Sequence, residues 1–356
     1  MCCDSHAITA AVITFNSALY IKDCISSLLI AGLDEHSILV VDDGSSDETL
    51  KIVGDAFPEV GVHCLGGNFG HSRACNEAIK KATTEWIVLI DHDTIVHEAW
   101  HKELVAAIQR HPAAGIIVSR AIFENDRKTI HSDGGYAHYV GNMILRNGFV
   151  QLPEADNQVA ALGAAGTTSM ALKREKAFAA GLFDEDFFIY LNDFEFSLRM
   201  RLVGESIFCA PKSIIYHKGG SQGVSFRGQG KYPPMRAYYI LRNRWFLILK
   251  IYSVKTLVLC FPALLLYEIM LLAMSLKKGV FRQHTNAWYW LITHFVQILK
   301  SRSVVQKHRK LSDKTLLTSG EMTFVPGVVN GGIMKGFKIF LDYVFTFYWR
   351  GVCLFL

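Results

Sequence analysis

Four places in the chain put carboxylates, glycines and amides where they can act on a substrate. The first is Asp91-His92-Asp93, which follows the apolar run Trp86-Ile87-Val88-Leu89-Ile90. Two carboxylates one residue apart on an extended segment project to the same side, and hard oxygen ligands of that kind suit Mg²⁺ or Mn²⁺ bridging a diphosphate. The second is Val40-Val41-Asp42-Asp43-Gly44-Ser45-Ser46-Asp47, where two carboxylates leave an apolar run at a glycine turn and a Ser/Asp cluster can cap the next helix. The third is Gly66-Gly67-Asn68-Phe69-Gly70-His71-Ser72-Arg73, a glycine-rich approach to a helix containing Asn76, where backbone can come close to a phosphate. The fourth is the acidic stretch from Asp184 through Asn192-Asp193-Phe194-Glu195. Taken singly, an Asp-Asp-Gly-Ser turn is a cap and a lone Asp-x-Asp is surface decoration. Their order along the chain carries the weight.

The elements that must hold these residues alternate. Ala7 to Phe15 is a β-rich apolar run, and Ser17 to Ile30 then places Ala18, Ile21, Ile25, Leu28 and Leu29 at helical spacing. The pattern repeats with Ser37 to Val41 before a helix around Asp47 to Ala56, Val60 to Leu65 before Ser72 to Ala82, and Trp86 to Ile90 before Glu98 to Arg110. Such alternation predicts an α/β fold with a mostly parallel sheet flanked by helices, and ligands at the carboxyl ends of the strands. A strand at Ser169 to Leu172 and a helix through Lys176 to Ala180 precede the acidic stretch.

Thr14-Phe15-Asn16, then VVDDGSSD, then GGNFG with its downstream Asn, then an apolar strand ending in DHD together resemble glycosyltransferase family 2, of GT-A fold, over residues 1–220. The stretch from Gly181 to Glu195 is similar to the family segment in which an acidic dyad opens a helix and its Asp serves as general base. That role falls on Asp193. Asn192 stands where the family usually has an acid, so the dyad here is amide plus acid. The resemblance further implies that Phe15, Asn16 and Asp43 contact the nucleoside, that Asn68, Gly70 and Arg73 lie on the nucleotide side of the pocket, and that Asp91 reaches the ribose or the metal. Ile214-Ile215-Tyr216-His217-Lys218-Gly219-Gly220-Ser221 resembles the family's closing segment, which makes His217 a third candidate metal ligand beside Asp91 and Asp93. Residues 237–246 are similar to a membrane-proximal helix of polysaccharide-extending members, including rhamnosyltransferases.

The implied chemistry is a single inverting displacement. A carboxylate takes the proton of an acceptor hydroxyl, which attacks the anomeric carbon of a nucleotide-sugar donor while the nucleoside diphosphate leaves. Two rivals compete with that reading. Leu89-Ile90-Asp91-His92-Asp93-Thr94 also fits a haloacid-dehalogenase-like phosphatase with Asp91 as nucleophile, although that motif normally sits on a first strand and here about 90 residues of α/β pattern precede it. A catalytically inactive sugar-binding membrane protein is the other, weighed against by the joint presence of Asp43, Asp91, Asp93 and Asp193.

Composition divides the chain. The formal charge of +5 conceals 17 Lys and Arg against 28 Asp and Glu in residues 1–216, a net of −11, and 20 against 4 in residues 217–356, a net of +16. The apolar fraction is 51% and the charged fraction 19%, which excludes disorder. The basic half is also the apolar half, with Lys and Arg flanking stretches rich in Phe, Trp and Tyr. That pattern suits an anionic membrane surface rather than nucleic acid. The expected division is a catalytic domain over 1–220 and a helical, membrane-associated region over 221–356.

Thr256 to Leu276 would make a helix about 31 Å long, enough for the hydrocarbon core. One crossing would export Lys277, Lys278, Arg282 and the cluster Arg302, Lys307, Arg309 and Lys310, against the positive-inside tendency. Pro262 and Glu268 within the run argue the same way. Ile333 to Trp349 places Lys335, Lys338 and Asp342 on one helical face, as in a helix lying at an interface. The expectation is peripheral attachment, monotopic or re-entrant, on the cytoplasmic face of the plasma membrane, presenting a lipid-linked glycan acceptor to Asp193. The N-terminus lacks a secretion-signal pattern, so the eight cysteines are expected to be reduced, with Cys2-Cys3 a possible but weaker acylation pair.

Overall fold

The computed structural model describes residues 8–219, 233–323 and 332–356; Cys2-Cys3, Gly220 and Ser221 lie outside them. The first half follows the alternating pattern: β1 (Ile8–Thr14), α1 (Ile21–Ile30), β2 (Ile38–Asp42), α2 (Thr49–Ala56), β3 (Gly61–Cys64), α3 (His71–Lys81), β4 (Trp86–Asp91), β5 (Thr94–Val96) and α4 (Trp100–Arg110). Then come β6 (Ile116–Phe123), β7 (Asp126–Ser132), β8 (Gly135–His138), β9 (Asn142–Leu145), β10 (Ser169–Lys173), α5 (Arg174–Ala179), α6 (Asn192–Leu202) and β11 (Ile207–His217). The C-terminal third is helical: α7 (Pro234–Ile251), α8 (Val254–Lys277), α9 (Phe281–Thr293), α10 (Phe295–Lys307), α11 (Asp313–Leu316), the short β12 (Leu317–Thr318) and α12 (Gly332–Val352).

The main sheet runs β3-β2-β1-β4-β10-β6-β11-β5, with β7 on β6. The first four strands are parallel, as the alternation requires. Beyond β4 the sheet is mixed, because β10 enters antiparallel between β4 and β6 and β5 returns antiparallel on β11. No βα repeat precedes β10, so nothing forces it to run parallel. Trp86 to Ile90 of β4 are all buried, the signature of a strand covered on both faces. One apolar cluster lies beneath α1, α2 and α4. A second lies beneath α3, α5 and α6 on the other face. Helix α1 begins four residues later than its apolar spacing suggests, because Ser17 instead donates its amide to Thr49 Oγ1 at 2.7 Å and caps a turn with its carbonyl.

A third cluster joins Tyr139, Phe187, Phe194 and Leu198 to Phe246, Ile248, Leu264 and Phe345, so the helices after residue 233 pack against elements of the first 220 residues. Among the described residues, α8 is the one helix long and apolar enough to cross a membrane by length and composition, with a mean hydropathy of 2.3. Its charge faces inward: Glu268 accepts from Arg244 Nη1 (2.9 Å), Trp245 Nε1 (2.7 Å), His284 Nε2 (2.8 Å) and Trp288 Nε1 (3.0 Å). In α12, Lys338 and Asp342 of the expected polar face turn toward protein, while Lys335 is exposed. Lys338 and Asp342 pair at 2.8 Å, and Asp342 accepts from the Met322 amide at 3.2 Å, while Phe337, Phe340, Tyr343 and Phe347 are exposed. Solvation of charge alone would have turned that helix the other way. The buried seam of Leu341, Phe345, Trp349 and Val352 fixes its rotation instead.

Candidate active site

The carboxyl ends of β1, β2 and β4 lie side by side, with Thr14 opposite Asp42 and Ile13 opposite Asp91. A cavity of about 390 Å³ opens there. Its wall includes Asp91, Asp93, His217, Asp193, Asn192 and His71. Asp91 and Asp93 leave the end of β4. His217 arrives from the far side of the sheet because β5 pairs antiparallel with β11 and sets His217 opposite Thr94. The resulting His217 Nε2 to Asp93 Oδ1 distance is 3.3 Å, and one ligand atom from each of Asp91, Asp93 and His217 falls within 4.8 Å of the others. Two carboxylates and one imidazole that close together fit Mn²⁺ or Mg²⁺. His131 stacks on His217, with their Nδ1 atoms 3.2 Å apart.

Asp193 enters the same cavity from the first turn of α6. Its Oδ1 accepts from the Phe194 amide at 2.7 Å and its Oδ2 from the Thr167 amide at 3.2 Å. Burial pushes its pKa above the usual carboxylate value despite these two amides. A carboxylate so placed binds a proton more readily than a free one while its two amide partners fix its position. The chain reaches α6 through a turn in which Phe188, Tyr190 and Leu191 all have positive φ and none is glycine. Each such residue costs on the order of 1–3 kcal/mol, so the surroundings must over-determine it.

The remaining candidates form the adjoining rim and do not line this cavity. Phe15 is partly exposed at the end of β1. Asn16, with φ of 49°, accepts from the Ser46 amide at 2.8 Å and so ties that end to the loop after β2. Asp43 is buried, and its two oxygens accept from the Phe69 amide (2.7 Å) and the Gly70 amide (2.8 Å). Burial raises its pKa and those two amides oppose the rise. Gly70 is buried at φ of 93°, and a Cβ there would lie 2.4 Å from Phe188 Cδ2. The Ser72 amide donates to the Phe188 carbonyl at 3.1 Å. The start of α3, expected from sequence to face a phosphate, therefore faces the turn that leads to Asp193. Asn68 is exposed, and the Arg73 guanidinium lies over the Phe69 ring, 4.3 Å from its centroid.

His71 was not anticipated as a site residue. Its Nε2 lies 3.3 Å from Asp91 Oδ1 and its Nδ1 3.0 Å from Asn192 Nδ2, so it links the metal-type carboxylates to the amide that stands where an acid was expected. Nothing in the spacing of His71 from Asp91 signals this contact, which depends on α3 and β4 sharing one sheet edge. Thr167, Tyr190 and Arg236 also line the cavity unanticipated.

Residues 9–178 match the family model described as Glycosyl transferase family 2. That segment belongs to glycosyl transferase family 2. The poly-beta-1,6-N-acetyl-D-glucosamine synthase of Staphylococcus epidermidis is 27% identical over 118 residues, 31% of this chain and 27% of that protein. The glycosyltransferase SunS of Bacillus subtilis is 33% identical over 107 residues, 30% of this chain and 24% of that protein. The chain thus spans about a quarter of the length of these relatives. The N-acetylglucosaminyl-diphospho-decaprenol L-rhamnosyltransferase of Mycobacterium tuberculosis is 23% identical over 245 residues, 62% of this chain and 78% of that protein. Among solved structures, GalNAc-T7 with UDP, GalNAc and Mn²⁺ superposes with a TM-score of 0.51 at 19% identity, covering 68% of this chain and 47% of that one. The family 2 domain has the GT-A fold. Asp91 ends β4, the strand paired with β1 and β10 of that fold, while His92-Asp93 turn into β5, and the haloacid-dehalogenase reading finds no support.

Proposed function

We propose that this chain is an inverting glycosyltransferase that moves a sugar from a nucleotide-diphosphate donor to a hydroxyl of a lipid-linked glycan. The observation that carries the reading is the convergence of Asp91, Asp93, His217 and Asp193 on one cavity from three separate parts of the chain. Asp193 takes the acceptor proton on a carboxylate oxygen. The alkoxide oxygen bonds to the anomeric carbon as the bond from that carbon to the phosphate oxygen breaks, and the electron pair leaves with the nucleoside diphosphate. The amides of Phe194 and Thr167 hold the carboxylate in place, and its burial raises its basicity. Asp91, Asp93 and His217 would hold Mn²⁺ or Mg²⁺, which when bound offsets the charge gathering on the leaving diphosphate. The rim of Phe15, Asn16, Asp43, Asn68, Gly70 and Arg73 receives the nucleoside. Residues 1–220 form the catalytic unit and 221–356 the membrane-associated one.

The same reading covers the membrane. Val258, Phe261, Leu265, Ile269 and Leu276 form an exposed stripe at helical spacing along α8, and Lys255, Lys277, Lys278 and Arg282 are exposed at its two ends. A helix whose only acid is turned inward and whose outer stripe is apolar suits a monotopic or re-entrant seat on the cytoplasmic face. Labelling single cysteines at Lys255 and Lys278 in intact cells and inverted vesicles tests it. Both sites should react only from the cytoplasmic side, and opposite sidedness would refute the seat.

The activity test incubates purified protein with Mn²⁺, a lipid extract and a panel of nucleotide sugars, with nucleotide-activated rhamnose included because the mycobacterial relative is a rhamnosyltransferase. Transfer should appear with one donor and be abolished in Asp193→Asn, with nucleotide binding nearly intact. Full transfer by that variant would remove Asp193 from the mechanism.

A further inference from the structure

The turn that delivers Asp193 is held from outside the catalytic segment, by two neighbouring residues of α7. Every carbonyl from Asp186 to Tyr190 has a donor. The Asn243 carboxamide serves three of the five, its two Nδ2 N–H bonds being shared among the carbonyls of Phe187 (2.9 Å), Ile189 (2.9 Å) and Tyr190 (2.7 Å). Asn243 is fully buried. Which end of its amide faces the turn is fixed by Arg242, whose Nε donates to Asn243 Oδ1 at 2.8 Å. Arg242 Nη2 adds donors to the carbonyls of Asp186 (2.6 Å) and Phe187 (3.0 Å). The guanidinium is itself gripped between the rings of Tyr239 and Trp290, at 4.7 and 4.5 Å from their centroids. The Phe188 carbonyl is taken from the opposite side by the Ser72 amide.

Left-handed backbone at Phe188, Tyr190 and Leu191 turns these carbonyls inward, where each would be left unpaired without such donors. We propose that Asn243, oriented by Arg242, is the positioning residue for Asp193: it holds the strained turn in the one conformation that points the carboxylate into the cavity. The inference rests on the reading of Asp193 as general base. It also gives α7 a part in the chemistry, since the first helix of the basic, apolar region sets the geometry of the base on the catalytic sheet.

The test is Asn243→Asp, which keeps size and the pairing with Arg242 but removes the Nδ2 donors. With the nucleotide sugar that turns over in the panel, kcat should fall 10- to 100-fold while KM for that donor stays within twofold. Deuterium exchange over residues 186–195 should rise with little change in the main sheet. Leu191→Asn, which tolerates positive φ, should return part of the lost kcat when combined with Asn243→Asp, a rescue that lost packing alone would not produce. Arg242→Lys, which keeps the charge but frees the Asn243 amide, should give the same kcat loss if Asn243→Asp fails to fold.

Wild-type kcat with unchanged exchange over 186–195 in a folded Asn243→Asp or Arg242→Lys protein overturns the proposal. If Asp193→Asn is inactive while these variants are fully active, the clamp fails and the base assignment stands. If Asp193→Asn is itself active, the base assignment fails first.

Discussion

Replacing Glu268 offers the sharpest test of how the apolar helix α8 meets the rest of the chain. Its carboxylate gathers four donors, and one of them, Arg244, is buried with its guanidinium shared between Glu268 and the Val140 carbonyl at 2.8 Å. Glu268→Ala leaves that guanidinium charged and buried without its counter-ion, a loss of about 3–5 kcal/mol. With about 2.1 cal/mol/K of unfolding entropy per residue, a cooperative chain of this length loses about 1.3 °C per kcal/mol, so Tm should drop by about 4–7 °C. Glu268→Gln should cost less. Its oxygen can still serve Arg244 and Trp245, and its NH₂ can donate to His284 Nε2 once the imidazole moves its proton to Nδ1 beside Ser275 Oγ, which lies 2.9 Å away. Only Trp288 then loses its acceptor, a cost of about 1–2 kcal/mol. The double variant Glu268→Ala/Arg244→Met removes both charges and should recover much of the loss. Thermal unfolding in detergent, followed by circular dichroism, reads all four proteins. If Glu268→Ala unfolds within 1 °C of wild type, or Glu268→Gln is the more damaging change, α8 does not seat its acid as described.

Asp93→Ala should lose Mn²⁺ binding by calorimetry and lower the transfer rate by at least ~10²-fold, and an unchanged titration would remove Asp93 from the ligand set. Gly70→Ala forces a Cβ to within 2.4 Å of the Phe188 ring at positive φ and should destabilise by about 1–3 kcal/mol. Gly66→Ala has the same sign of φ with nothing within 4 Å, so it isolates the backbone term, and equal losses in the two would refute the contact. His138 is buried, and burial followed by the nearby Arg244 lowers its pKa to about 4 from the usual 6.5. A depressed folded-state value means the unfolded chain binds the proton first, so stability is full above pH 6.5 and falls by about 3 kcal/mol as pH drops toward 4. Denaturant midpoints across that window should flatten in His138→Asn, whose side-chain oxygen can still accept from the Val140 amide that His138 Nδ1 holds at 3.1 Å.

The elements of the first 110 residues are legible because each strand carries its own period and each helix its own apolar face. Those signals are local, and β1 to β4 obey them. The Asp91-His92-Asp93 motif is legible for the same reason, since it directly follows an apolar strand, although only Asp91 lies on that strand and His92-Asp93 form a turn where an extended segment was expected. What escaped was set by contacts distant in sequence. His71 reaches Asp91 and Asn192 across 20 and 121 positions, and Asn243 reaches the turn before Asp193 across more than 50. The glycine at position 70 was visible but its purpose was not, because a Gly before a helix serves a phosphate or an incoming side chain equally well, and only the fold brings Phe188 against it. In α12 the amphipathic pattern was legible, but the pairing of Lys338 with Asp342 was not, since the pattern alone does not say which polar residues a tertiary contact will bury.

The charge asymmetry between the two halves has a double origin. Part of the positive excess after residue 216 is spent inside the protein on the acidic half. Lys250 is buried and pairs with Asp184 and, at 2.8 Å, with Glu195, two residues beyond the proposed base. Arg199 Nε donates to the same Glu195 oxygen at 2.7 Å. Lys218 reaches Asp23 at 2.7 Å. Of these, Lys250 ties α7 to the α6 end of the site. Among the exposed cations, Lys255, Lys277, Lys278 and Arg282 lie at the two ends of α8 beside its apolar stripe. Buried Lys250 is thus taken up by internal carboxylates, and under the proposed seat the exposed cations at the ends of α8 would face an anionic surface. A neutral substitution of Lys250 should accordingly impair folding and transfer together, whereas neutralising Lys277 and Lys278 should weaken only the sedimentation of the protein with vesicles rich in anionic phospholipid.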